Sequence, residues 1–377
     1  MHPLIGSASE QTWLVVFAMV IYFLVTVKPR DSGLFTKEVT ASVKGVAILL
    51  IIFGHVGYFF ISDHAFLPPL SNFSGIGVDM FLLVSGMGLM LSSLKSPLTI
   101  WQFYKRRLSK VYIPVLISMA LLLILDFLIL NKTYPLGLTI KNIFGIFPQA
   151  DIFNDINSPL WFITPLLVYY LIWPLVFSRR APWILPVIFF GLGYAQASDQ
   201  FLGRLPIASG VYGLYQVHAS PFVVGTLLGF CVWHLNRWYE NHGRALVESH
   251  RKLFFYGYRL LLILAGAGLW LTLMSVDVNS RWQEVAFFSL LSSVMAVLFV
   301  AILPVEVGAL VKLGAASFFL YVIHTPLMTR FDFLFRFLPS GLALVVYLAG
   351  LMVLWRLYLR WRERRLLKKI DNHQNYL

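Results

Sequence analysis

The chain has 377 residues, of which 59% are hydrophobic and only 12% are charged. Soluble domains are about one quarter charged, so this composition excludes a soluble enzyme, and the 32 Phe, 17 Tyr and 11 Trp exclude a disordered chain. The net charge of +13 is an orientation signal in such an apolar chain, because Lys and Arg remain on the cytoplasmic side of a membrane. Cys231, the single cysteine of the sequence, excludes a disulfide framework and a cysteine-based zinc site.

Apolar runs of about 20 residues recur along the sequence, and such a run is long enough to cross a bilayer as a helix. The sequence therefore predicts an all-α polytopic membrane protein with about eleven transmembrane helices. The predicted spans are 12–27, 43–61, 76–94, 111–130, 160–178, 182–197, 218–235, 255–274, 285–303, 315–329 and 340–356.

The basic residues predict the orientation of these spans. If the N-terminus is outside, 24 of the 30 Lys and Arg residues lie in segments on the cytoplasmic side. The N-terminus is therefore predicted to be outside and the C-terminus in the cytoplasm, with the longest outer segment at 131–159. The basic tail at 356–369 is expected to form a cytoplasmic helix on anionic lipid.

The second span carries Lys44 at its cytoplasmic edge and His55 near the middle of the membrane. Their spacing separates the two side chains by about 16 Å along a helix axis and returns them to within roughly 20° of the same face. Ionisable groups at this depth are functional candidates by default. A neutral imidazole there can act as a general base, and a structural histidine bonded to a neighbouring helix fits the same spacing.

Two carboxylates also fall within predicted spans. Asp79, near the outer end of the third span, could pair with His55 and fix its tautomer, or it could be a solvated residue at the start of the span. Asp126 lies deep in the fourth span and has no obvious partner in the sequence. The sequence leaves both roles open.

The segment 101–110, after the third span, is predicted to be a cytoplasmic loop rich in cations. Arg106, Arg107 and Lys110 lie close together in it, and Lys44 is expected at the same membrane level. Such a loop is an ordinary determinant of topology. It could equally bind a cytosolic ligand that is rich in phosphate.

The other histidines and aromatic residues give weaker signals. His324, three residues after Tyr321, is the only other histidine clearly within a predicted span. His218 and His234 lie at span ends and are expected at the membrane interface, and Trp161 is expected to belong to an interfacial aromatic belt. No metal-site, nucleophile-elbow, phosphate-loop or nucleic-acid-binding motif occurs in the sequence.

These residues together resemble the acyltransferase-3 family of bacterial integral-membrane acyltransferases. KGVAILLIIFGH (44–55) resembles the family's first core helix, in which ten residues separate an arginine from a histidine. GVDMFLLVSG (77–86) resembles its G-V-D-x-F-F-x-x-S-G pattern. RRLSKVYIP (106–114) resembles its R-R-x-x-R-x-x-x-P pattern. PLWFITPLLVYYLIWPL (159–175) resembles its W-F stretch, and FFLYVIHTPL (318–327) resembles its late L-Y-x-x-H motif.

The resemblance implies a membrane acyltransferase core of ten helices at 41–356. An extra N-terminal helix with a cytoplasmic link (1–40) would precede it, and a basic cytoplasmic tail (357–377) would follow. Lys44 and Lys110 depart from the family pattern, which has arginine at both positions. Lysine keeps the charge but lacks the bidentate guanidinium fork.

The implied reaction is transfer of an acyl group, usually acetyl, from cytosolic acyl-CoA to a hydroxyl of an extracytoplasmic or lipid-linked glycan at a bacterial inner membrane. His55 would deprotonate the hydroxyl, directly or after an acyl relay, and Asp79 would orient its ring. The other expected site residues are Lys44, Arg106, Arg107 and Lys110 for the donor phosphates, and Trp161, Tyr321 and His324 for the acceptor or as support. The implied partners are acyl-CoA, the glycan and membrane lipids, with no permanently bound cofactor, no metal and no nucleic acid.

A transporter or flippase is the alternative that the sequence leaves open. In that hypothesis His55, Asp79 and Asp126 form a proton relay across the membrane. The sequence lacks a pair of Gly/Pro-broken helices at matching positions of two halves, which disfavours this alternative. A sensor or scaffold is disfavoured by the scarcity of soluble segments.

The first testable prediction concerns topology. A reporter fused after Lys110 or after Arg180 should lie in the cytoplasm, and a reporter fused within 131–159 should lie outside. The distribution of the basic residues favours that orientation. An external signal at 105–110 would remove the argument that a cytosolic donor enters there.

Overall fold

The structure, a computed structural model, describes residues 17–30, 35–59, 73–151, 154–243, 250–275, 281–332, 334, 337–338 and 340–374. The helices in chain order are α1 (17–24), α2 (Lys37–Phe59), α3 (Ser74–Lys95), α4 (Ile100–Leu130), α5 (Leu136–Ile143), α6 (Ile163–Val176), α7 (Ile184–Gln196), α8 (Asp199–Leu202), α9 (Tyr212–Val217), α10 (Pro221–Trp238), α11 (Arg251–Met274), α12 (Trp282–Ile302), α13 (Gly308–Thr329) and α14 (Ser340–Gln374). The strands are β1 (Val27–Pro29) and β2 (Val305–Val307), and short 3-10 helices at Ser158–Phe162 and Ser209–Val211 precede α6 and α9.

Eight helical segments of the described residues are long and apolar enough to cross a membrane. They correspond to all of the predicted spans except 12–27, 182–197 and 340–356. The last two match the shorter apolar helices Ile184–Gln196 and Leu342–Leu357, and 12–27 lies partly outside the described residues. The protein is thus an all-α polytopic membrane protein, and the count of eleven spans stays a prediction.

The cation-rich segment 101–110 is not a loop. It forms the first turns of α4, which begins at Ile100 after a capping box in which Thr99 and Gln102 exchange hydrogen bonds of 3.3 Å. The prediction was wrong because it took a break in apolar character for a break in the helix. The basic tail likewise continues α14 without interruption.

Two of the buried helices, α2 and α13, run parallel and touch through glycines. A Cβ atom added to Gly314 would lie 1.7 Å from the carbonyl oxygen of Ala41, and one added to Gly45 would lie 2.2 Å from that of Leu310. Only glycine permits backbones to approach so closely, as is common between membrane helices.

The same kind of contact joins α3 to α10, which also run parallel. A Cβ atom on Gly225 would lie 2.1 Å from the carbonyl oxygen of Leu83, and one on Gly229 would lie 2.7 Å from that of Met87. A third contact, between Gly77 of α3 and the Ala47 carbonyl oxygen, joins the two pairs. The helices α13, α2, α3 and α10 therefore form the close-packed centre of the bundle.

A small sheet ties the segment after α1 to the segment before α13. Strands β1 and β2 pair antiparallel, and the Lys28 ammonium lies 3.0 Å from the Glu306 carboxylate. Arg30 donates a hydrogen bond of 2.6 Å to the carbonyl oxygen of Ala301, at the end of α12. The predicted topology puts both segments on the cytoplasmic side of the membrane, and their pairing agrees with a position on the same side.

The glycine contacts lead to a second prediction, about stability. Gly314→Ala should lower the free energy of unfolding by at least about 1–3 kcal/mol, because the added methyl group overlaps a backbone oxygen. Gly88 has no atom within 4 Å of an added Cβ, so Gly88→Ala should be neutral or stabilising by up to about 1 kcal/mol. Thermal unfolding of the purified proteins in one detergent compares the two, and equal melting temperatures would contradict the proposed packing.

Candidate active site

Two histidines from the parallel helices α2 and α13 meet inside the bundle. Nδ1 of His55 lies 3.2 Å from Nε2 of His324, and the ring centroids are 5.0 Å apart. His324 is fully buried, whereas His55 is partly exposed. The sequence did not predict that these two side chains are neighbours, because no spacing rule relates helices so far apart in the chain.

The hydrogen bonds assign a tautomer to each ring. Nδ1 of His324 lies 2.8 Å from the Tyr321 carbonyl oxygen and must donate to it, so Nε2 is an acceptor, which the Thr325 hydroxyl approaches at 2.9 Å. Nδ1 of His55 lies 2.9 Å from the Ile51 carbonyl oxygen and is likewise a donor. Nε2 of His55 therefore carries a lone pair, and no hydrogen bond reaches it from the described residues. A nitrogen of this kind can accept a proton.

The expected pairing of Asp79 with His55 is not observed. The fully buried Asp79 carboxylate instead meets Nδ1 of His218 at 2.5 Å and accepts a hydrogen bond from the Ser289 hydroxyl. Gly77 faces α2. Side chains two residues apart on a helix point in directions that differ by about 200°. Asp79 therefore points away from the helix that carries His55, and it is not a solvated residue either.

His218 is a buried residue rather than an interfacial one, with only 4% of its surface exposed. Trp161 is 7% exposed and lies over the His218 ring at 5.3 Å, so its expected position in an aromatic belt was also wrong. Sequence reasoning missed this contact because the partners come from three separate helical segments. The one available signal was a histidine close before Pro221, at the start of an apolar run.

An aromatic turn connects the two histidine centres. Phe162, next to Trp161, packs edge-on against Tyr321 at 4.7 Å, and the Tyr321 ring lies 5.8 Å from that of His324. The Tyr321 hydroxyl donates to the carbonyl oxygen of Pro159. The predicted support residues Trp161, Tyr321 and His324 thus belong to one continuous packing unit.

Asp126, for which the sequence showed no partner, forms a buried ion pair with Arg330. The Tyr134 hydroxyl donates to the same carboxylate oxygen at 2.6 Å, and Arg330 also donates to the carbonyl oxygen of Ile156. Arg330 directly follows α13, so this cluster fixes the C-terminal end of the helix that carries His324.

The predicted cations assemble at the other end of α4. Arg106, Arg107 and Lys110 line a pocket of about 280 Å³ next to the end of α3, and Arg107 donates to the Ser92 hydroxyl at 3.0 Å. The charges of Arg107 and Lys110 act on Lys44 of α2, which is not among the residues that line the pocket. A cluster of this kind suits a ligand with several phosphates.

Comparison with family models matches residues 42–361 to the acyltransferase-3 model, which is described as an acyltransferase domain. The chain belongs to the acyltransferase-3 family. It is therefore a membrane acyltransferase, as the sequence motifs predicted, and the matched range contains both histidine centres and the cationic pocket. No curated protein and no solved structure matches the chain.

The arrangement does not favour the proton relay of the transporter hypothesis. His55, Asp79 and Asp126 have different partners, namely His324, His218 and Arg330 respectively. Among the described residues, no hydrogen bond links one of these three centres to another.

The buried Asp79–His218 pair yields a third prediction. Asp79→Ala and His218→Ala should each destabilise the protein by about 3–5 kcal/mol, because each removes one partner and leaves the other buried and unsatisfied. The double variant should lose much less than the sum of the two, since neither group is then left alone. Heat-induced loss of monodisperse protein in detergent measures this, and strictly additive losses would show that the two side chains do not interact.

Proposed function

We propose that this membrane acyltransferase moves an acetyl group from cytosolic acetyl-CoA to a hydroxyl of an extracytoplasmic or lipid-linked glycan. The observation that carries the proposal is His55, whose Nε2 is available while its Nδ1 is held by a backbone carbonyl oxygen and a second imidazole. The cationic pocket at the start of α4 supports a phosphate-bearing donor that enters from the cytoplasm, and the charges of its Arg107 and Lys110 act on Lys44, which lies on the same helix as His55.

The donor would bind with its nucleotide phosphates against Arg106, Arg107 and Lys110. Guanidinium groups hold phosphate oxygens in a bidentate way, and the two arginines keep this capacity although Lys110 does not. The continuous helix α2 confirms that Lys44 and His55 lie on one helix, about 16 Å apart along its axis. The pantetheine arm would span that depth between helices and bring the thioester to His55.

The chemistry would begin with the hydroxyl of the glycan. Nε2 of His55 accepts the hydroxyl proton while the oxygen attacks the thioester carbonyl carbon. The carbon–sulfur bond then breaks, and the proton passes from His55 to the departing thiolate, which leaves as the free thiol of CoA. The Ile51 carbonyl oxygen and Nε2 of His324 both accept from Nδ1–H, so they stabilise the cationic ring during the transfer.

Asp79 would act through His218 rather than on the catalytic ring. Its carboxylate fixes His218, and His218 supports the ring of Trp161, which adjoins Phe162 beneath Tyr321 and His324. Asp79, Trp161, Tyr321 and His324 are then positioning residues around His55.

The most direct test combines donor chemistry with the product. Purified protein should release CoA from acetyl-CoA when a glycan acceptor is supplied, and cells that lack the gene should lose an O-acetyl signal from their glycans by NMR. Release of CoA without any change in the glycan would refute the proposed acceptor. The absence of both effects would refute the proposed function.

A fourth prediction concerns the donor pocket. Arg107→Ala should weaken acetyl-CoA binding by roughly ten- to a hundred-fold, since one charge-assisted contact contributes about 1.5–3 kcal/mol. Lys105→Ala is the matched control, because it removes a neighbouring exposed cation that does not line the pocket. Calorimetric titration measures both, and an unchanged affinity of Arg107→Ala would show that the cations serve topology alone.

The fifth prediction concerns the base. His55→Ala should reduce transfer by roughly 10²–10⁴-fold, the usual effect of losing a general base, while its abundance in the membrane stays near normal. His324→Ala should lose less, because His324 only supports the His55 ring.

His234→Ala is the appropriate control for this experiment. His234 is an exposed histidine of α10 that packs on Phe230, away from both histidine centres. Glycan acetylation and protein amount are measured in the same cells. Full activity of His55→Ala would end the proposed mechanism, and equal losses per molecule in His55→Ala and His324→Ala would contradict the distinct role of His55.

A further inference from the structure

A cavity of about 550 Å³ opens between the segment after α4 and the segment before α9. Its volume falls within the range of about 300–1,000 Å³ that is typical of small-molecule sites. It lies in the segment that is predicted to be outside the membrane, at the opposite end of α4 from the cationic donor pocket. No role in the reaction proposed above involves this cavity.

The walls of the cavity combine rigid apolar surfaces with hydrogen-bond donors. Pro135, Pro148 and Tyr134 provide apolar faces, with the Lys132 ammonium over the Tyr134 ring at 4.9 Å from its centroid, and Asn154 provides an amide. The rim is held together by backbone, since the Ala208 N–H donates to the Pro148 carbonyl oxygen at 2.7 Å. Such a mixture suits a sugar ring, which has both apolar C–H faces and many oxygens.

The charged side chains that line the cavity are both cationic, Lys132 and Lys141. The carboxylates nearby are engaged elsewhere. Asp126 pairs with Arg330, Asp151 accepts from the Asn154 amide at 2.6 Å, and Asp155 accepts from the Asp151 backbone N–H at 2.9 Å. The cavity therefore offers positive charge to a ligand, and the nearby carboxylates are hydrogen-bonded to other protein groups.

The electrostatics of Lys132 agree with that description. Burial is the main cause that lowers the pKa of Lys132, and the Arg330 guanidinium lowers it further. The charges of Asp126, Asp151 and Asp155 act in the opposite direction but do not offset these effects. A bound anion would stabilise the charged form of Lys132, which the protein alone does not fully stabilise.

A wall residue of the cavity is linked by hydrogen bonds to the end of the helix that carries His324. The hydroxyl of Tyr134, a wall residue, binds both Asp126 and Arg330, and Arg330 follows the last residue of α13. Six residues separate Arg330 from His324, which corresponds to a rise of about 9 Å. A sugar unit held in the cavity could therefore present a neighbouring unit to the histidines.

We propose that this outer cavity binds an anionic sugar unit of the acceptor, one that carries a carboxylate or a phosphate. The inference rests on the proposed function, in that it names the chemical class of the glycan. Lys141 and Lys132 bind the negative group, and the Tyr134 and proline faces pack against the sugar ring.

The experiment measures sugar binding directly, without turnover. The purified full-length protein in zwitterionic nanodiscs is titrated with trigalacturonate, with its neutral methyl ester, and with mannose 6-phosphate. The wild type should bind the trigalacturonate or the sugar phosphate at least about tenfold more tightly than the neutral ester, as expected for a charge-assisted contact. The preferred anion identifies carboxylate or phosphate as the natural group.

Two lysine variants and one control localise the effect. Lys141→Gln and Lys132→Gln should each weaken binding of the anionic sugar by about tenfold and leave the neutral ester unaffected. Lys312→Gln removes an exposed lysine near the beginning of α13 and should change nothing. Equal affinity for charged and neutral sugars, unaltered affinity in both cavity variants, or no binding of any probe would overturn the proposal.

Failure of this inference is distinguishable from failure of the proposed function. Acetyl-CoA binding at Arg107 is measured on the same preparations. If the variants lose anionic sugar binding and no preparation transfers acetyl, the cavity assignment stands and the reaction is wrong. If CoA release and glycan acetylation occur but charge does not affect sugar binding, only the cavity assignment is wrong.

Discussion

Glycine-to-carbonyl packing between α2 and α13 sets the depth at which the two histidines meet. The contacts of Gly314 with Ala41 and of Gly45 with Leu310 lie ten to fourteen residues before His55 on one helix and before His324 on the other. Both rings are thereby raised by about 15–21 Å from the contact region. A slip of either helix by one turn, about 5.4 Å, would abolish the close approach of the two imidazoles.

The polar groups inside the bundle form three separate centres. Asp126 is neutralised by Arg330, Asp79 is bonded to His218 and Ser289, and the His55 pair donates no hydrogen bond to a carboxylate among the described residues. Buried polar groups are costly unless their partners are complete. A proton taken up by His55 would therefore find no adjacent carboxylate to hold it, which favours its prompt transfer to the leaving group of the proposed reaction.

Local features of the sequence predicted the helical spans, the common face of Lys44 and His55, and the family. They failed where the outcome depends on the angle between helices. Asp79 turns from α2 because Gly77 occupies the contact, and nothing near Asp79 in the chain identifies His218, 139 residues away, as its partner. The start of α4 was missed for a different reason: the Thr99 capping box precedes charged residues, and charge was taken for a loop.

The pairing of β1 with β2 has a consequence for biosynthesis. The ribosome must complete residue 307 before Val27 can acquire its partner, and at about 5–20 residues per second that interval is roughly 14–56 seconds. Through this interval the strand's backbone groups must be satisfied by water at the membrane surface. The segment after α1 is thus made early but attached late, because its partner strand is synthesised only after α12.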